Sequence, residues 1–405
     1  LLWQDKALPI SNVTYNSQSK RISFLYTGVE GNAVIAAKDA SGNIIWSWHI
    51  WCTDAPVEQI YNNEAGTMMD RNLGATSATP GDAGALGLLY QWGRKDPFRG
   101  SSSINSNTLI KTTITWPSRV YSDTNNGTIE YTISNPTTYI QYNANNCDWF
   151  YTQNDATNNT RWGNIKTIYD PCPVGWKVPT GGTAGIFGKA DVVNAPHTSD
   201  GTNHGIHFPE GSISNQSVWY PKAGYFYEGS LSYTGSSGYY WTSTPCSNSN
   251  KAHNMYISGS SINISSKDYY RADAQSVRCM KDENYVDVTM PIIALDTLSS
   301  ITSTGATITA TIDKLDGIIE KGFLLGTSEH PTVDNNYAKV VNTQDTLTFT
   351  SDLEFEAGDI YYVRAFATNE NGTSYSEELS FLASDADNPM DLSAYGTANS
   401  YIINK

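Results

Sequence analysis

The 405-residue sequence predicts a mainly β chain divided among several domains, and three observations carry that prediction. Charged residues make up only 16% of the chain while Tyr, Trp, Asn, Ser, Thr and Gly are plentiful, a balance typical of β-structure with long polar loops. The last third breaks into alternating, strand-like runs separated by turn residues. Near the N-terminus two apolar runs flank a short turn.

Residues 1–54 read as a β-rich segment, part of a β-sandwich-like domain. "NAVIAAKD" and "NIIWSWHIW" are two strands joined by a turn at 40–43. In the second, Ile44, Trp46, Trp48 and Ile50 share one face and Ile45, Ser47, His49 and Trp51 the other. Both faces are largely apolar, which predicts cover on both sides. Residues 55–283 form one aromatic-rich unit with few regular elements and Asn/Ser/Thr-rich loops, such as 101–107 and 247–250. Residues 284–383 carry regular strands, among them "IIEKGFLLGTS" and "DIYYVRAFATNENGTSYSEELSFLA". In the latter Tyr361, Val363, Ala365 and Ala367 face one way, and "NENG" turns into the last strand. This spacing predicts a seven-strand sandwich. Residues 384–405 follow as a polar linker and a strand-like tail without an evident partner.

Charge is unevenly placed. Residues 284–405 hold 18 acidic and 5 basic residues, a net of −13, whereas the first 283 hold 22 and 20. There is no basic stripe, so nucleic acid is not an expected partner. There is no run of eighteen apolar residues, so no transmembrane segment is expected. The five cysteines, at 52, 147, 172, 246 and 279, lack the clustered spacing of a zinc site. They allow two disulfides and one thiol, or one disulfide and three thiols. In "YDPCPVGWKVPT" (169–180) two prolines hold Cys172 on a stiff, extended segment, which suits a permanent partner better than a mobile catalytic thiol.

Four stretches occur in order: "MMDRNLGA" (68–75), "CPVGWKVPT" (172–180), "GYYWTSTP" (238–245) and "SVRCMKD" (276–282). Together they resemble the signature of the Fibrobacter succinogenes major paralogous domain family, found on surface lipoproteins of Bacteroidota. The resemblance covers roughly residues 55–283. It implies a C-type-lectin-like α+β domain with long loops, in which Cys172 pairs with Cys279. The segment after "VPT" departs from the family, because "GGTAGIFGKADVV" is glycine-rich and predicts a first helix that is short or missing. "EKGFLLGTS" (320–328) and "YYVRAFATNENGTSY" (361–375) resemble fibronectin-type-III-like, immunoglobulin-type sandwich modules of the same surface proteins, with Tyr361 as the corner tyrosine. The opening hairpin and the tail "TANSYIINK" resemble parts of fimbrillin-associated proteins. That implies a chain cut in mid-repeat, whose edges expect partner strands.

Enzyme motifs are missing: there is no GxSxG, HExxH, Walker loop or GxGxxG. His204 and His207 in "NHGIHF", and His49 with Cys52 in "HIWC", read as loop and core residues. The lectin-like fold also serves formylglycine-generating enzymes that use a cysteine pair, but Cys172 and Cys279 lack a positioned base and read as a staple. No cofactor is expected. The EPN, QPD and WND motifs of calcium-dependent lectins are missing, and Asp268 and Asp273 read as solvated loop charge, so a structural calcium has no motif behind it. In "VWYPKAGYFYEGSLSYTGSSGYYW" (218–241), Trp219, Tyr220, Tyr225, Tyr227 and Tyr233 form the candidate ligand platform, since pyranose C–H faces stack on aromatic rings. The competing reading packs half of them into the loop's own core. The resemblance also implies O-glycosylation at "DTL" sites, making Thr297 and Thr346 candidates.

These readings converge on a non-enzymatic, extracellular adhesin, anchored at the outer membrane or fimbrial, whose partner is a host or microbial glycan or surface protein. Two other roles remain open. One is a filament subunit completed by β-strand addition from neighbouring copies or other pilins. The other is a glycan-capture protein of a polysaccharide-uptake system.

Overall fold

A computed structural model describes residues 1–16, 21–143, 147–151, 158–246, 250–264, 269–285 and 290–383. The chain is mainly β and divides into two compact units, Leu1–Tyr285 and Val286–Lys405. The linker and tail at 384–405 lie outside the described residues.

In the first unit, Gly31–Lys38 and Ile44–Cys52 form the expected hairpin, with Trp3–Gln4 on its outer side. The Asp39 carboxylate closes the turn by accepting from the amides of Ser41 and Asn43. A boundary at residue 54 has no counterpart in the packing. Trp3 and Val34 belong to the same core as Leu73, Trp92, Trp162 and Trp241. Ser47 donates to Asp96 at 2.6 Å, and the Trp51 indole donates to the Ala75 carbonyl. Cover comes on both faces, as the sequence predicted, though Ile45 and Trp48 remain exposed. The Ser47–His49–Trp51 face meets the 71–96 segment, and on the other face Ala33, Ile35 and Ile50 pack with Ile10, Val13, Ile22 and Phe24.

The central sheet runs Ser230–Ser232, Tyr225–Tyr227, Ala274–Ser276, Ser237–Pro245, Lys251–Ser258, Ser261–Asn263. Ala274–Ser276 is parallel to Ser237–Pro245, antiparallel to Tyr225–Tyr227, and also pairs with Leu89–Gln91. Alternation along Ser237–Pro245 sends Tyr240 into a core with Phe187, Tyr220, Met255 and Ile257, and Trp241 into the core around Trp92. A second sheet pairs Met280–Lys281 with both Trp176–Lys177 and Gly66–Met69.

Cys172 and Cys279 are joined by a disulfide across 107 residues of sequence. A loop of that length corresponds to about 4–5 kcal/mol in the chain-entropy account. The local geometry explains the stiff "DPCP" turn. Buried Asp170 accepts from the amides of Cys172 and Val178, each at 2.9 Å, and from the Lys166 ammonium at 3.0 Å. Helix is scarce here. Ile186–Lys189 is a single turn, consistent with its glycine-rich sequence. Ile129–Ser134 is capped by the Thr128 hydroxyl.

What replaces regular structure is buried polar bonding. Asp148 bridges Arg161 and Arg271, and both guanidiniums lie over the Trp92 ring, at 5.2 and 4.3 Å. In the "DRNLGA" stretch Arg71 pairs with Asp70 and Asp54, while Asn72 donates to the Leu86 carbonyl and accepts from Arg278.

The second unit is a fibronectin-III-like β-sandwich. One sheet orders Ile293–Ser299, Gly305–Ile312 and Thr348–Glu354. The other orders Ala338–Val341, Glu320–Gly326, Ile360–Asn369 and Gly372–Tyr375, with Leu379–Leu382 continuing along Ile360–Asn369. Tyr361, Val363, Ala365 and Ala367 face inward with Ile308, Phe323 and Phe349. The Tyr361 hydroxyl accepts from the Glu356 amide at 3.2 Å, which makes it a corner tyrosine.

Candidate binding surface

Two of the five predicted platform residues are interior. Trp219 is only 6% exposed, in the strand Val218–Pro221. Its ring lies over Gly205, where an added Cβ would come within 2.2 Å of it, so glycine is what permits this packing. Tyr220 is fully enclosed: its hydroxyl bonds that of Tyr61 at 2.7 Å, and Arg278 sits 4.0 Å from its ring centre. A strand covered on both faces leaves neither ring a free face. Trp219 and Tyr220 are therefore core residues and not part of a platform.

The other three do assemble. Tyr225 is flanked by Tyr227 and Tyr233, at 5.6 and 5.9 Å between ring centres and within 28° of parallel. Tyr225 itself is buried, Tyr227 half-buried and Tyr233 54% exposed. The cluster extends to residues that sequence reasoning did not include. Tyr239 packs 4.4 Å from Tyr225 and 5.1 Å from its cross-strand partner Tyr256, and Tyr269 stands edge-on to both Tyr225 and Tyr239. Tyr142 stands edge-on to Tyr270 at 4.8 Å, and its hydroxyl donates to Glu228 at 3.2 Å. Of these added residues only Tyr239 lies within the stretch 218–241 that the sequence singled out. Tyr142, Tyr256 and Tyr269 are brought in from distant segments.

Beneath these rings lies Asp273. It is 2% exposed, and its Oδ1 has no hydrogen-bond partner among the described residues. Burial, reinforced by the Glu228 charge, pushes it well above the usual carboxylate range, favouring the proton-bearing form. It is not the solvated loop charge expected; Asp268 lies outside the described residues. Burial and then the Asp273 charge raise Tyr225, and burial with neighbouring tyrosines takes Tyr269 to about 12. The phenols raised in this way, those of Tyr142, Tyr225, Tyr239 and Tyr269, stay neutral at physiological pH.

The remaining candidates sit apart. His204 bonds the Gly235 carbonyl through Nδ1, while His207 is half-buried within Gly205–Phe208. His49 is held between Asn32 and Tyr90, and burial lowers it to about 3. Burial pushes the Cys52 and Cys147 thiols up, the opposite of activation. Thr297 lies exposed at a bulge in Ile293–Ser299. Thr346 is exposed and donates to the Thr348 carbonyl. Among the described residues no group of three or more His, Cys, Asp or Glu side chains is placed to hold a metal ion. No helix among them is long and apolar enough to cross a membrane.

A family profile described as "Domain of unknown function (DUF8237)" matches residues 207–280, a stretch that includes Tyr225, Tyr239, Tyr256 and Asp273. No curated protein matches the chain. Among solved structures, the chain is similar to the sensor domain of the anti-sigma factor RsgI4 in Pseudobacteroides cellulosolvens. That similarity is 17% identity over 29% of this chain and 91% of that one, at a TM-score of 0.20. A fibronectin type-III domain of human fibronectin type III domain containing protein 3 is 18% identical over 25% of this chain and 92% of that one, at a TM-score of 0.17.

Proposed function

We propose that the chain is a non-enzymatic, cell-surface or fimbria-associated adhesin that holds glycans on its tyrosine surface. The observation behind this reading is the clustering of Tyr142, Tyr227, Tyr233, Tyr256, Tyr269 and Tyr270, all at least partly solvent-accessible, across the central sheet from Tyr225–Tyr227 to Lys251–Ser258. Phenol rings set on a sheet offer both a stacking face and a hydroxyl to a sugar. The first unit acts as a C-type-lectin-like scaffold of the Bacteroidota surface family that its four signature stretches resemble. The sandwich serves as a spacer, with Thr297 and Thr346 as its glycosylation sites.

A glycan and mucin array, run with calcium and then with EDTA, tests the reading. Binding that survives EDTA and is lost in Tyr227→Ala or Tyr233→Ala is the expected outcome. Binding abolished by EDTA would replace the aromatic surface with a calcium site. A blank array from folded protein would overturn the adhesin reading and favour a filament subunit.

A further inference from the structure

We propose that the tyrosine surface selects glycans bearing a free amine, seating the ammonium of a hexosamine against Glu228, Tyr142 and Tyr227. This inference rests on the glycan reading above and adds its ligand chemistry.

Glu228 is the first observation. It stands at the tip of a two-residue turn, with φ of +46° followed by +80° at Gly229, between the paired residues Tyr227 and Ser230. Glycine and asparagine suit the first position of such a turn, and a longer side chain there costs on the order of 1 kcal/mol. The turn presents an exposed carboxylate directly beside the tyrosines. That carboxylate accepts the Tyr142 hydroxyl, and the Tyr227 hydroxyl lies near both.

Asp273 is the second, independent observation. It is a buried carboxyl whose Oδ1 has no hydrogen-bond partner among the described residues, electrostatically coupled to Tyr139, Tyr225, Tyr227 and Tyr269. Among the described residues no cation is among the charges acting on it. Two described cations stand at the margin without pairing either carboxyl: Arg119 donates to the Glu228 backbone carbonyl and lies over Tyr121 at 5.7 Å, and Lys251 lies over Tyr270 at 5.4 Å. An exposed carboxylate, a buried carboxyl and several ring faces thus converge, and among the described residues neither acid is ion-paired. A neutral sugar would satisfy the rings and leave the carboxylate without a charged partner. A hexosamine satisfies both, laying its C–H face on a tyrosine and its ammonium against Glu228 and the adjoining π-faces.

The test uses the full chain and three β-1,4-linked hexamers that differ only at C2: glucosamine, N-acetylglucosamine and glucose. Titration calorimetry should show the glucosamine oligomer binding at least about tenfold more tightly than the glucose oligomer. Glu228→Gln should erase that preference while keeping the parental melting temperature. Glu329→Gln, an exposed acid of the second unit, should leave it intact. If all three sugars bind alike, or if both variants reduce the preference equally, the amine inference fails and the glycan reading stands. If none binds, both fail.

Discussion

The two units organise similar polar, aromatic sequence in opposite ways. In the sandwich, strands of four to ten residues carry their own instructions, with alternate residues such as Tyr361, Val363, Ala365 and Ala367 meeting the opposite sheet. In the first unit many strands are only two to four residues long, and order comes from side chains that bind distant backbone. Asp170 holds the "DPCP" turn, Asp148 gathers Arg161 and Arg271 around Trp92, and one disulfide spans 107 residues. The first kind of order is periodic and local. The second depends on single residues with no periodicity, so point changes in it should have larger effects.

The largest expected effect comes from the disulfide. Replacing Cys172 and Cys279 together by serine should destabilise the first unit by about 4 kcal/mol. Calorimetry should then show its transition moving down while that of the sandwich stays in place. Movement of both together would mean that the units do not melt independently.

Acid should sharpen the contrast by a smaller amount. His49 titrates at about 3 when folded and near 6.5 when unfolded, so below pH 6.5 the unfolded chain takes up a proton that the folded one refuses. The stability involved is present above pH 6.5 and is lost as pH falls towards 3, on the order of 1 kcal/mol per unit. The first transition should therefore fall between pH 7 and 5, and His49→Gln should flatten that slope. The sandwich carries a single histidine, His330, which is exposed. A slope unchanged in the variant would assign the acid sensitivity to other groups.

The smallest effect belongs to the sandwich itself. Tyr361→Phe removes one hydrogen bond to the Glu356 amide and should cost about 1 kcal/mol, read as a shift of the second transition alone.

The same contrast governs what could be read from sequence. The sandwich strands and the inward face of Tyr361 followed from alternation, and the hairpin at Gly31–Cys52 from its turn. The tyrosine surface was legible only in part. Tyr225, Tyr227 and Tyr233 lie within one short stretch, but Tyr142, Tyr256 and Tyr269 reach it through pairings that no local pattern encodes. Trp219 and Tyr220 looked alike in the same stretch and proved interior. What separates them from Tyr227 is a strand covered on both faces, and that cover comes from residues as remote as Tyr61 and Arg278. Asp273 looked like any loop acid until the rings closed over it.

The placement of Ala274–Ser276 bears on how the protein is made. This short segment enters between strands formed some forty residues earlier, pairs with Leu89–Gln91, and leads directly to Cys279 and Met280. On a ribosome adding roughly 5–20 residues per second, the earlier strands would wait about 2–8 s for it. During that interval apolar edges such as Tyr225–Tyr227 and Ser237–Pro245 lack the strand that lies between them. Nascent chains of the first unit should therefore remain protease-sensitive and chaperone-bound until the segment emerges.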